Sequence, residues 1–145
     1  MCEVVKVQRC SSLTDASLLQ NVRQLSLTHC DQLANVSKLG SGTVSDLDLS
    51  GCRRVADVSH LGTIRKLSLR YCTRVCDVSA LGGVHELDLA GTSVVDVSAL
   101  GEVHDLNLAN TAVADVSKLG QYSSEPAYHR TASALTGLIG PVYPW

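Results

Sequence analysis

The sequence predicts a solenoid of short parallel β-strands, one strand to a coil and six coils in all. Three observations carry that prediction. Near-identical stretches recur at a spacing of about 20 residues, "GCRRVADVSHLG" at 51–62 being echoed by "YCTRVCDVSALG" at 71–82, and a period in that range marks stacked supersecondary units. Each unit carries an apolar-x-apolar triplet, such as Leu67-Ser68-Leu69, which is the period-two pattern of a strand with one buried face. Downstream of the triplet the apolar residues fall three apart, a spacing that suits tight 3₁₀-like turns.

Aligned on the triplet and on the Asp-Val-Ser that follows it, the units start at Cys2, Val22, Val44, Ile64, Val84 and Val103. Successive starts give unit lengths of 20, 22, 20, 20, 19 and 19 residues, the last unit ending near Gln121. The repeat array therefore covers 2–121, and 122–145 form a non-repeat tail. With 145 residues the chain is one domain's worth. Leu135, Leu138 and Ile139 make the tail a C-terminal cap for the sixth coil, with "TASALTGLI" long enough for about two helical turns. A disordered tail, or a docking peptide around Tyr143 and Trp145, is the alternative.

Within the fourth unit, "IRKLSLRYCTRVCDVSALGG", Leu67 and Leu69 face inward while Lys66, Ser68 and Arg70 face outward. Cys72, Val75, Val78, Leu81 and Val84 continue the buried set at steps of three. Asp77 has the short acidic side chain that accepts hydrogen bonds from backbone N–H groups just ahead, as an N-cap or Asx-turn does. Glycine returns at 40, 62, 82, 101 and 120, where the chain turns back, so the expectation is a backbone shape costly for other residues. No coil closes a core alone; stacking buries the ladders.

The pattern Leu-x-Leu-x-x-Cys-x-x-Val-x-Asp-Val-Ser-x-Leu resembles the leucine-rich repeat family over residues 2–121. It is most similar to the short-unit kind found in internalins and phosphatase-regulatory leucine-rich repeat proteins. The resemblance implies a leucine-rich-repeat solenoid, α/β horseshoe in type but mainly β, whose concave strand face binds another protein. Two departures shape the expectation. The units are short, so the convex side is expected to be extended or 3₁₀, with no α-helix. The family's ladder Asn is replaced by Cys10, Cys30, Cys52 and Cys72, then by Thr92 and Thr111, where the unit loses one residue.

Four of the six cysteines thus share one repeat position. Stacked about 5 Å apart along a line, they do not converge as a tetrahedral zinc site requires. Buried thiols bonded weakly to neighbouring backbone are the reading, with Cys76 exposed on the convex side. Their Cα spacing falls in disulfide range, but an intracellular setting argues against oxidation. "NVS" at 35–37 matches a glycosylation sequon, yet it stands where other units have "DVS". His85 and His104 share a position in adjacent units and are expected to stack, without an evident third ligand for a metal.

A net charge of −2 and a pI near 6.2 give no case for nucleic acid or acidic membranes, which favour clustered Lys and Arg. The N-terminus lacks the apolar core of a secretion signal, and the longest charge-free stretch, 131–145, is too short and too rich in Gly and Pro to span a bilayer. An intracellular, cytoplasmic protein is expected. Catalytic motifs such as G-x-S-x-G, Walker A and H-E-x-x-H do not occur, so no enzyme, cofactor or metal is expected.

Function is then sought in the outward-facing strand residues, which the ladders do not dictate. Units three, five and six carry acids there and unit four carries bases. One reading is a solvated face of compensating charges. The other is a net acidic palm that selects a protein partner with a partly basic patch, through Asp46, Asp48, Lys66, Arg70, Glu86, Asp88 and Asp105. Tyr71 and His29, just past the strands, are amphipathic groups of the kind that anchor interfaces. The expected function is a non-catalytic protein-interaction scaffold. The alternative is a structural or self-assembling element, since the first strand, at 4–7, offers an unpaired edge to a copy of itself or to further repeats.

Overall fold

The computed structural model describes residues 3–119. The tail at 122–145 and the proposed start of the first unit at Cys2 lie outside the described residues. Six three-residue strands, β1 (Val4–Lys6), β2 (Gln24–Ser26), β3 (Asp46–Asp48), β4 (Lys66–Ser68), β5 (Glu86–Asp88) and β6 (Asp105–Asn107), form one sheet in sequence order. Every adjacent pair is parallel and in the repeat register, so Val5, Leu25, Leu47, Leu67, Leu87 and Leu106 make one continuous row. A second row, Leu27, Leu49, Leu69, Leu89 and Leu108, is fully buried two residues on. Burying such a leucine contributes about 1.5–3 kcal/mol, and Leu27, Leu49, Leu69 and Leu89 each lie between two coils.

The step of three works as the sequence implies. In the fourth coil the amides of Cys72, Val75, Leu81 and Val84 donate to the carbonyls of Leu69, Cys72, Val78 and Leu81 at 3.0–3.1 Å. Short 3₁₀ helices appear at Ser17–Leu19, Leu39–Ser41 and Ser98–Leu100, and among the described residues there is no α-helix. Between the two turns the chain is extended, and Asp77 bridges the change: its Oδ1 accepts the Ser79 N–H at 3.0 Å. Asp15, Asn35, Asp57, Asp96 and Asp115 hold the same bond in their coils. The sequon asparagine, Asn35, is engaged in this turn and also donates to Asp15 Oδ2 at 3.1 Å.

Glycine at the coil ends has a different cause from the one expected. Gly40, Gly62 and Gly82 do not adopt positive φ. Instead, a Cβ on any of the three would run into a backbone carbonyl of the next coil, that of His60, Ala80 or Ala99. Close approach of backbones, not a left-handed conformation, excludes a side chain there.

The shorter units have a structural counterpart. Cysteine coils contain an extra 3₁₀ turn, Val55 N–H to Cys52 O at 3.2 Å and Val75 N–H to Cys72 O at 3.0 Å. In the threonine coils the residue that would complete this turn is missing, and the buried Thr92 and Thr111 hydroxyls bond the carbonyls of Leu89 and Leu108 in their own coil at 2.7 Å. Cysteine reaches the other way. Cys52 Sγ donates to Leu27 O at 2.8 Å and Cys72 Sγ to Leu49 O at 3.1 Å, each in the preceding coil. Cys30, Cys52 and Cys72 are buried free thiols as expected and Cys76 is exposed, but Cys10 in the first coil is only half-buried.

That difference extends along the first coil. Val5, Val7, Cys10, Leu13 and Leu19 are only partly buried, whereas Leu25, Leu27, Cys30, Leu33 and Leu39 one coil later are buried. The strand predicted at 4–7 ends at Lys6. No helix among the described residues is long and apolar enough to cross a membrane.

Candidate functional site

Because side chains alternate along a strand, each strand presents its first and third residues away from the core. The register stacks them into two rows: Val4, Gln24, Asp46, Lys66, Glu86, Asp105, and Lys6, Ser26, Asp48, Ser68, Asp88, Asn107. Both rows line an open groove of about 940 Å³ that runs across all six strands. Asp46, Asp48, Lys66, Glu86, Asp88 and Asp105 are thereby brought onto one surface, with Arg70 and Tyr71 following β4 at its margin.

Much of the charge on this face is engaged with itself. Lys66 Nζ lies 3.0 Å from Glu86 Oε1 and Arg70 Nη1 lies 3.5 Å from Asp88 Oδ2. Solvent-accessible pairs of this kind contribute about 0–1 kcal/mol, so they can be rearranged at small cost. Gln24 Nε2 donates to Asp46 Oδ2 at 3.1 Å. Among the described residues Asp46 and Asp48 are in no ion pair, which leaves β3 as the acidic centre of the palm.

Asp48 and Asp88 have a second task that their sequence setting did not make obvious. Their Oδ1 atoms accept the N–H groups of Ser50 and Ala90 at 2.9 and 3.0 Å, and Asn107 Oδ1 accepts that of Ala109 at 3.0 Å. These are Asx-turns, and each leads the chain into a left-handed residue just before the Cys/Thr ladder. That position is occupied in turn by Arg9, His29, Gly51, Tyr71, Gly91 and Asn110, with φ between 53° and 77° in all six coils.

A left-handed conformation costs most L-residues about 1–2 kcal/mol, so the non-glycine side chains need support. Two of them find it on a glycine in the next coil. The His29 ring packs where a Gly51 Cβ would stand, and the Tyr71 ring does the same over Gly91. Tyr71 remains 48% exposed, with the Arg70 guanidinium carbon 5.8 Å from its ring centroid. It is held by backbone below and a cation beside it, a rigid and accessible aromatic at the edge of the palm.

His85 and His104 stack as expected, ring centroids 4.7 Å apart and planes 8° off parallel. The Cys52 and Cys72 thiols are pushed up to about 11 and about 12, first by burial.

No protein-family model matches the sequence, and no curated protein matches it. Solved structures do. An internalin C2 from Listeria monocytogenes superposes with a TM-score of 0.67 at 21% identity, over 83% of this chain and 57% of its own. The chain has the leucine-rich-repeat fold. A second internalin from Listeria monocytogenes, inlF, aligns with a TM-score of 0.55 at 18% identity over 85% of this chain. The functional domain of InlJ from the same organism, described as including a cysteine ladder, aligns with a TM-score of 0.61 at 22% identity over 84% of this chain. This leucine-rich-repeat chain spans 57%, 46% and 28% of the lengths of the three structures.

Proposed function

We propose that this leucine-rich-repeat array is a non-catalytic protein-interaction scaffold whose concave strand face takes a partner with a basic patch. The observation that carries the reading is the groove itself. Two register-matched rows of polar and charged side chains stand in it, their backbone positions fixed by the leucine ladders and their identities left open by the core. Asp46 and Asp48 on β3 supply the acidic centre, and Tyr71 supplies the aromatic anchor. The openness of the groove favours recognition over catalysis, because Asp46, Asp48, Glu86 and Asp88 are only half-buried and not withdrawn from water as an acid/base pair must be. No cofactor or metal enters the reading.

The test is capture from source-cell lysate with the wild type and with an Asp46→Lys, Glu86→Lys variant. Asp48 and Asp88 are left intact because they hold backbone turns. Prey bound by the wild type and lost by the variant supports the palm; prey bound equally by both contradicts it.

A second reading, self-assembly, is favoured by the partly buried ladder of the first coil, Val5, Val7, Cys10, Leu13 and Leu19. A copy stacked there would complete its burial. Sedimentation decides this: mass that rises with concentration and falls back to monomer in Leu13→Lys supports it, and a monomer at all concentrations contradicts it.

A further inference from the structure

Beside the palm, one residue before each strand, runs a row that neither the ladders nor the palm explains: Glu3, Arg23, Ser45, Arg65, His85 and His104. Its stacking is fixed by backbone hydrogen bonds. Ser45 N–H donates to Arg23 O at 2.9 Å, Arg65 to Ser45, His85 to Arg65 and His104 to His85, each at 3.0 Å. The arginines and histidines are exposed. Neither arginine is in an ion pair among the described residues. The row's first half borders a groove of about 420 Å³ lined by Asn21, Thr43, Ser45 and the two arginines, with Asp46 and Lys66 on the palm side and Glu3 at the end. Lys66 is paired with Glu86 and Asp46 accepts from Gln24, which leaves Arg23 and Arg65 as the available cations.

We propose that this rim binds an extended, acidic peptide segment of a protein partner, lying along the solenoid axis across the strands. The proposal rests on the reading of the array as a protein-binding scaffold, but it concerns a surface outside the palm. Geometry favours a peptide. Coils repeat at about 4.8 Å, so Arg23 and Arg65, two coils apart, stand about 10 Å from each other. A polyproline-type chain, with three residues to a turn, places residues i and i+3 about 9 Å apart on one side, so carboxylates at every third position meet both arginines. Ser45, between them, adds no third charge; its hydroxyl donates to the Arg23 carbonyl at 3.2 Å.

The test is fluorescence anisotropy of a labelled peptide with glutamate at every third position, against the full chain at neutral pH and moderate salt. The expected result is saturable binding. Arg23→Ser, Arg65→Ser weakens it about tenfold or more, and the corresponding double Lys variant restores part of it. A control of equal charge change, Arg54→Ser, Arg74→Ser on the opposite flank, leaves binding unchanged. All of these side chains are exposed, and circular dichroism confirms that each variant is folded. No saturable binding, equal losses in rim and control variants, or equal competition by a single-stranded oligonucleotide of matched charge overturns the proposal. No saturable peptide binding by the wild type, with lysate capture still lost in the Asp46→Lys, Glu86→Lys variant, would overturn the rim alone, whereas saturable peptide binding with capture unaffected by that variant would overturn the palm alone.

Discussion

The ring of Tyr71 occupies the space above Gly91: a Cβ built on that glycine would lie 2.5 Å from Tyr71 Cδ1. The two residues hold the same place in consecutive coils, both left-handed, at φ 56° and 71°. Gly91→Ala is expected to destabilise the array by about 1–2 kcal/mol through its backbone and by a further amount through the displaced ring. In a Tyr71→Ala background only the backbone part should remain. Urea denaturation of the two single variants and the double variant measures the coupling.

Cysteine chemistry gives a second prediction. With burial raising Cys52 to about 11 and Cys72 to about 12, the thiolate fraction at pH 8 is about one in a thousand or less. A maleimide at pH 8 should label the exposed Cys76 and leave Cys52 and Cys72 untouched in the folded chain, as peptide mapping will show. The sign for stability follows from the raised values. Stability held by these neutral thiols is fully present below the unfolded thiol pKa of about 8.5 and is lost as pH rises toward 11–12.

Acidification acts on the convex face. Asp57, Asp77, Asp96 and Asp115 are held below the ordinary carboxylate range by the N–H and hydroxyl groups of the serine two residues on. Their contribution is present above the unfolded pKa of about 3.9 and is lost as pH falls through the lower folded values. Asn35 makes the same turn without a charge. Asp77→Asn should therefore keep stability at pH 7 and flatten its decline below pH 4, while Asp77→Ala lowers the urea midpoint at both. A pH series of urea midpoints checks both variants.

Position along the stack sets the cost of a core truncation. Leu69 is fully buried between two coils, and Leu69→Ala should cost about 2–5 kcal/mol. Leu13, partly buried in the first coil, should cost clearly less when truncated. Equal losses in urea unfolding would mean that the first coil is covered in solution.

The sequence made the ladders legible because their periods are physical. Leu67 and Leu69 at a step of two, and Cys72 to Val84 at steps of three, place one strand and two tight turns without further information. The His85–His104 stack was legible from the same register. The left-handed position was not, because Arg9, His29, Gly51, Tyr71, Gly91 and Asn110 share a conformation and not a residue type; the aligned Gly51, Gly91 and Asn110 are the signal that could have found it. Asp48 and Asp88 read as free palm charges, although the Asp-x-Ser spacing of Asp48 and Ser50 matches the convex turn motif and already points to their backbone role. The coil-end glycines were legible as necessary but not for the right reason, since a clash with the next coil's carbonyl depends on packing between coils.

The most direct test of the central claim is site-specific photo-cross-linking in source cells. A benzophenone amino acid replaces Gln24 on the concave face in one variant and Ala80 on the convex face in another, both exposed positions. The account predicts a discrete adduct from position 24 and none from position 80. An adduct from position 80 alone would contradict it, and with it the assignment of the strand face as the binding surface.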